Sequence, residues 1–382
     1  MADNKIIAIN TRFLLKDQLE GIGWFTYETV RRIVIDNPTI EFHFLFDRPY
    51  DPSFIFASNV KPVVLSPPAR HPILWWIWFQ WSVKNYIQKL NPNLFISPDG
   101  FLPLGLQCPT LLVIHDIAFE HFPSHVPWLV NKYYRHYTKK FAQAATKIAT
   151  VSTYSKNDIV TSYDIPAEKI QVVYNGANEL FRPIETSLQQ AVKEEYCGGN
   201  DFFLFTGSIH PRKNLHHILI AFEEFKNRQQ NDVKLLIVGR KAWHYSEAMD
   251  VFDQMKYQQD VIFTGHIQPQ ALSKIMAGAI ALVYTSLFEG FGIPIIEAMQ
   301  SGTPVITSNC SAMPETAGEA AILVDPTNPK DIMNAMEKIY LNDHERVHKI
   351  QLGLENSKNY SWQKTADALW KVAQDIINRS LI

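Results

Sequence analysis

Short apolar runs recur along the chain, each followed by a stretch with helical spacing. The first are KIIAIN (residues 5–10), FHFLF (42–46), NLFIS (93–97), TLLVIH (110–115), KIATVS (147–152) and IQVVYN (170–175). Strands that alternate with helical stretches indicate a parallel sheet covered on both faces. The segment NELFRPIE (178–185) breaks the rhythm, which restarts with FFLFTG (202–207), VKLLIVG (233–239), VIFTG (261–265), AIALVYTS (279–286), PVITS (304–308) and AAILV (320–324). The pattern predicts an α/β protein of two consecutive doubly wound, Rossmann-like domains, residues 1–182 and 183–360, joined near Pro183. A final segment, 361–382, carries Trp362, Ala366, Leu369, Val372 and Ile376 at helical spacing and is expected to bury that face.

Length and composition agree with two cores. A chain of 382 residues, 46% apolar and 19% charged, exceeds what one core usually covers. A formal net charge of -2 gives no basic excess to hold a nucleic acid. Cys108, Cys197 and Cys310 lie far apart with no C-x-x-C, which favours reduced thiols and a cytoplasmic setting. The start, MADNKIIAIN, lacks a signal-peptide pattern, and no apolar run reaches the ~18 residues that span a bilayer.

In open α/β sheets, ligands bind beyond the C-terminal strand ends. There, FEGFGIPIIEAMQSG (288–302) sets Glu289 and Glu297 on either side of a glycine turn. Pro294 suits the first helical position and Gly302 the stop. The amides of Phe291, Gly292 and Ile293 then form an anion site at the helix N-terminus. Carboxylates beside a phosphate repel it, so the two glutamates make sense as acceptors for the hydroxyls of a nucleotide sugar. The stretch TGSIHPRKNLHHILIAF (206–222) is again strand, turn and helix, and puts Arg212 and Lys213 at a strand end, where two cations neutralise a diphosphate and its leaving-group charge. A solvated helix start with surface glutamates fits either stretch alone.

These residues resemble a large retaining glycosyltransferase family, number four in the usual sequence classification. Its signature E-x7-E matches Glu289 to Glu297, and the likeness continues through GSIHPRKN, ATVSTYSKNDI, VVYNGAN and VIHDIAFEHFP. The resemblance implies the GT-B fold, two Rossmann-like domains facing an interdomain cleft, with the last helix crossing back to the first domain. It implies that Glu297 holds the donor ribose and that Glu289 contacts hydroxyls of the transferred sugar. Gly290, Phe291, Gly292 and Ile293 match donor-sugar and phosphate contacts, and Arg212 and Lys213 the diphosphate pair. Many members place the arginine five residues before the lysine, where this chain has Ser208; the adjacent pair occurs in a mannosyltransferase-like subset. His115 resembles a histidine near the transferred sugar, with Asp116 a helix-entry residue. Gly21 and Gly23 resemble a glycine loop near donor phosphate or acceptor, and a plain tight turn also fits them. Asn175 and Gly176 resemble the turn beside the domain junction, and His266 falls near the nucleotide base.

The resemblance implies transfer of a hexose, leaning to mannose from GDP-mannose, onto a saccharide or lipid-linked saccharide in surface glycan synthesis. The nucleotide sugar is a co-substrate, and no metal or other cofactor is expected, since D-x-D occurs nowhere. A glycoside hydrolase using Glu289 and Glu297 would leave the basic pair without a task. A dehydrogenase would need G-x-G-x-x-G after the first strand. A silent nucleotide-sugar-binding subunit would keep Glu297 and Lys213 without His115.

One segment stands outside this scheme. RHPILWWIWFQWSVKNYIQKL (70–90) concentrates Trp75, Trp76, Trp78, Phe79 and Trp81, and no acidic residue occurs from Pro52 to Pro98. Peripheral contact with an anionic membrane suits it, and so does a helix whose tryptophans fill the core.

Overall fold

The computed structural model describes residues 5–16, 19–240 and 246–379. The first sheet holds β1 (Ile6–Asn10), β2 (Glu41–Phe46), β3 (Val60–Val64), β4 (Leu94–Ser97), β5 (Thr110–Val113), β6 (Lys147–Thr150) and β7 (Ile170–Val172). They pair in the order β3-β2-β1-β4-β5-β6-β7. The second holds β8 (Phe202–Thr206), β9 (Lys234–Val238), β10 (Val261–Gly265), β11 (Ala281–Tyr284), β12 (Val305–Ser308) and β13 (Ala321–Val324), in the order β10-β9-β8-β11-β12-β13. All described pairings are parallel, with Ile7 opposite Leu94 in one sheet and Ala281 opposite Phe203 in the other. Strands such as FFLFT, buried at every position, are what a sheet covered on both faces requires.

β3 is a strand that the hydrophobic pattern does not announce. It contains Pro62 and is half exposed, and both features are tolerated because it is the sheet's edge strand, where a missing N–H costs no ladder bond.

The chain divides into two compact units, Met1–Asn175 with Trp362–Ile382, and Gly176–Ser361. The division falls before Pro183, because Pro183 packs within the second unit: a Cβ on Gly302 would stand 3.5 Å from its ring. The helix Trp362–Arg379 buries Trp362, Ala366, Leu369, Val372 and Ile376 in the first unit, where Phe25 meets Trp362 edge-on and Thr365 Oγ1 donates to the Tyr174 carbonyl at 2.8 Å. Of the segment 361–382, residues 380–382 lie outside the described part.

The tryptophan segment divides by face. It forms a helix Pro72–Ile77, a π-turn Trp78–Val83 and a helix Lys84–Leu90. Trp78 and Phe79 are fully buried, Trp75 and Trp78 donate to the carbonyls of Ala69 and Leu65, and Trp75 stacks on Tyr134. Trp76 and Trp81 remain 39% and 63% exposed. Core and surface readings thus each describe half of the tryptophans. Among the described residues no helix is long and apolar enough to cross a membrane.

Beyond β8 and β9 the backbone closes tightly. A Cβ on Gly239 would lie 1.8 Å from the Gly207 carbonyl oxygen. Gly239→Ala is therefore expected to destabilise the second unit by about 2–4 kcal/mol, through displacement of two strand ends. Urea denaturation of the variant beside the parent measures this.

Candidate active site

Both sheets reverse strand direction of travel at one place, β1 to β4 in the first and β8 to β11 in the second. At such a switch the connections leave to opposite faces and open a crevice at the C-terminal strand ends. Arg212 and Lys213 follow β8 and Glu289 follows β11, so residues some 76 positions apart meet there. β9 and β10 intervene between these loops in sequence and lie on the sheet's other side.

The loop after β8 is shaped by its own side chains. His210 Nδ1 accepts from the Arg212 amide at 3.2 Å, and Asn214, left-handed at φ 62° and fully buried, donates to the carbonyls of Thr285 and Pro326 at 2.9 and 2.6 Å. Those bonds tie the loop to the ends of β11 and β13. The Leu287 amide donates to the Arg212 carbonyl at 2.8 Å, which locks the two loops together.

Within this frame Glu289 is clamped. Its Oε2 lies 3.0 Å from Arg212 Nη1 and its Oε1 2.7 Å from Lys213 Nζ. Arg212 also donates to the Phe288 carbonyl, and the Glu289 amide donates to Ser311 Oγ at 3.1 Å. Burial alone would raise the carboxyl's pKa, but Arg212 and then Lys213 outweigh it and hold it at about 2. Lys213 has a further partner that the sequence did not single out. Its ammonium donates to the Tyr284 hydroxyl at 2.6 Å and stands 4.8 Å from that ring's centre.

The glycine turn leads into the helix Ile293–Gln300, whose N-terminus has Gly292 at φ 98° and no described side-chain cap. Gly292 has to be glycine because φ 98° is a left-handed conformation in which a side chain is strained. Gly290 and Phe291 are buried, Thr316 Oγ1 donates to the Phe291 carbonyl at 2.7 Å, and Ile293 is partly exposed. Glu297, one turn into the helix, takes part in none of the described ion pairs. Desolvation pushes its carboxyl up to about 8, although part of the side chain still meets solvent. The two glutamates are thus shifted in opposite directions, Glu289 down by its cations and Glu297 up by desolvation. Ser208 is partly buried between Gly207 and Ile209, and His266 is exposed after β10, two strands from β8 along the sheet.

In the first unit, His115 lies beyond β5 and bonds through Nε2 to the Pro98 carbonyl at 2.8 Å, with Phe25 edge-on at 4.9 Å. Burial lowers its pKa, so the ring is neutral. Asp116 accepts from the Ala118 amide at 2.9 Å, the bond of a helix-entry residue. Gly21 and Gly23 are not in a loop: both lie in the first turn of the helix Gly21–Asp36. Gly23 is small because a Cβ would come 3.0 Å from the Phe13 carbonyl, whereas Gly21 has open space. Between β1 and β4 sits an ion pair that no motif announces, Arg12 with Asp99, covered by the rings of Phe13, Phe79 and Phe101. Among the described residues no group of three or more His, Cys, Asp or Glu side chains is placed to hold a metal ion.

Comparison with known proteins gives this geometry a context. Residues 20–179 match the family model Glycosyltransferase Family 4, and residues 189–353 match Glycosyl transferases group 1. The chain is 31% identical over 290 residues to the O-antigen chain mannosyltransferase RfbU of Salmonella typhimurium, covering 74% of this chain and 76% of that one. It is 25% identical over 365 residues to the O-antigen chain mannosyltransferase B of Escherichia coli, covering 91% and 94%. Anabaena Alr3699/HepE, solved in complex with UDP and glucose, superposes with a TM-score of 0.74 at 15% identity, covering 97% and 99%.

The raised carboxyl of Glu297 makes stability depend on pH. An acid whose pKa rises on folding stabilises the folded chain while it holds its proton. That contribution is complete below the ordinary value of 4.5 and is lost as pH rises through about 8. From about pH 5 to about pH 8 the parent should lose stability relative to Glu297→Gln by roughly 1 kcal/mol per pH unit. Denaturant titrations of both proteins across that range give the slope, and a difference that stays flat with pH contradicts it.

Proposed function

The chain belongs to glycosyltransferase family four and is a glycosyltransferase of GT-B fold, and from that premise we propose that it moves mannose from GDP-mannose to a lipid-linked saccharide in O-antigen-like glycan assembly. The observation that carries this reading is the meeting of Arg212, Lys213 and Glu289 at the β8/β11 switch, beside an uncapped helix N-terminus. The donor and acceptor classes rest on the mannosyltransferases to which the chain is similar.

In this mechanism the donor's diphosphate takes over the cations that Glu289 holds in the free protein. Arg212, Lys213 and the amides of Gly292 and Ile293 then face the phosphates, in place of a metal ion. Glu289, released from the cations, accepts from hydroxyls of the hexose, and Glu297 accepts from the ribose. The bond from the anomeric carbon to the phosphate oxygen breaks, with its electron pair going to the diphosphate, where Lys213 and Arg212 stabilise the charge. The acceptor oxygen bonds to the same face of that carbon and its proton passes to the departing phosphate oxygen, so the configuration is retained. In the first unit His115, its pKa lowered by burial and its Nε2 bonded to the Pro98 carbonyl, keeps Nδ1 as the ring's acceptor nitrogen.

The exposed Trp76 and Trp81, with Lys84 on the same segment and no acidic residue from 52 to 98, fit peripheral contact with an anionic membrane on the cytoplasmic side, where a lipid-linked acceptor sits.

A panel of nucleotide sugars tested for protection against thermal unfolding identifies the donor, because stabilisation grows with the logarithm of ligand concentration over its dissociation constant. GDP-mannose should give the largest shift, and a larger one from a UDP-sugar removes the mannose assignment. Lys213→Ala should lower turnover by about 10²- to 10³-fold with the fold intact. Co-sedimentation with phosphatidylglycerol vesicles should fall in the Trp81→Ser, Lys84→Glu variant; undiminished binding would remove the membrane contact.

A further inference from the structure

We propose that Tyr284 is a positioning residue for sugar transfer, whose hydroxyl holds the Lys213 ammonium in place when Glu289 lets it go. The inference rests on the reading of Lys213 as a diphosphate contact.

Tyr284 is the last residue of β11 and is only 1% exposed. Its strand neighbours Ala281, Leu282 and Val283 are wholly apolar and buried, so a phenylalanine would fill the same space without an oxygen to desolvate. The oxygen therefore needs partners, and the structure supplies two: it accepts from Lys213 Nζ at 2.6 Å, and its own proton bonds to the Glu289 carboxylate. The ring itself serves two neighbours. The ammonium stands 4.8 Å from its centre, and a Cβ on Gly292 would be 3.8 Å from Cε1, so the tyrosine lies under both the cation and the glycine turn.

Lysine is a flexible chain with a compact charge, and it loses much rotamer freedom when it must hold one position. Glu289 holds it in the free protein at 2.7 Å, but a carboxylate cannot share the cation with a diphosphate without repelling it. A neutral hydroxyl can. Burial and the adjacent Glu289 carboxylate keep the phenol protonated, so it brings no negative charge to the site. During the exchange of Glu289 for diphosphate, Tyr284 is the anchor that stays. The cation is then already aimed where charge develops, and no reorganisation is needed at the moment of bond breaking.

Tyr284→Phe keeps the ring and removes the anchor. Two measurements test it on the full chain. The first needs no donor: the rate at which acetic anhydride acylates Lys213, followed by peptide mass near pH 8. Loss of the acceptor lowers the ammonium's pKa and frees the amine, so acylation should speed up at least about threefold. The second is turnover. Tyr284→Phe should lower kcat about tenfold with the donor KM changed less than about twofold, and should cost nothing further in a Lys213→Ala background. An unchanged acylation rate overturns the proposal, as does an unchanged kcat or the same loss in both backgrounds. A lower thermal midpoint with unchanged kcat makes the hydroxyl structural and also overturns it. If the unaltered chain turns over none of the nucleotide sugars, the donor assignment fails instead, and the acylation rate alone decides the role of Tyr284.

Discussion

The site depends on one carboxylate held between two cations. Glu289 is buried, and a buried carboxylate alone would take up a proton; Arg212 at 3.0 Å and Lys213 at 2.7 Å keep it ionised. The same contacts hold the two cations close together against their mutual repulsion. A cluster of one anion and two cations keeps a net positive charge at a helix N-terminus with no side-chain cap, and that is the charge the proposed diphosphate would neutralise. In the proposed mechanism Glu289 occupies, in the free protein, the place that the ligand's charge takes.

The two sheets solve the same topological problem with opposite results. Each has a charge pair at its strand-order reversal. In the first, Arg12 and Asp99 are sealed beneath Phe13, Phe79 and Phe101, which makes the pair a fixed part of the core. In the second, Arg212 and Lys213 keep some solvent contact, and the neighbouring turn is glycine-rich, so the charges can change partners. Burial depth separates a structural ion pair from an exchangeable one, because a fully desolvated pair has no ligand or water to exchange with.

Much of this was legible in the chain itself. Apolar runs marked every strand except β3, whose Pro62 and half-exposed pattern read as loop until the edge position explained them. Glu289, Glu297, Arg212 and Lys213 stood out because a basic pair at one strand exit and two glutamates around a glycine turn at another are together hard to assign to solvated surface. Tyr284 did not stand out, since an aromatic at the end of a buried strand reads as core. The pair Gly21 and Gly23 misled for a related reason: two glycines suggest a loop, but their bare Cα atoms open a helix whose first turn meets the Phe13 carbonyl. In the tryptophan segment, composition left core and surface both open, because a helix interrupted by a π-turn has no single period to divide its faces.

The sequence by itself determined the secondary-structure rhythm, the two-domain plan and the residue types available for anion and hydroxyl recognition, because these follow from local periodicity and side-chain chemistry. Only the tertiary structure decided which of them meet. Strand order set β8 beside β11 while β9 and β10 turned away, and that adjacency brought Lys213 to Glu289 and Tyr284. It also decided which carboxyl is lowered and which is raised, since Glu289 found two cations there and Glu297, eight residues on, met only desolvation. Pairing across a parallel sheet is a long-range property that no window of the chain contains.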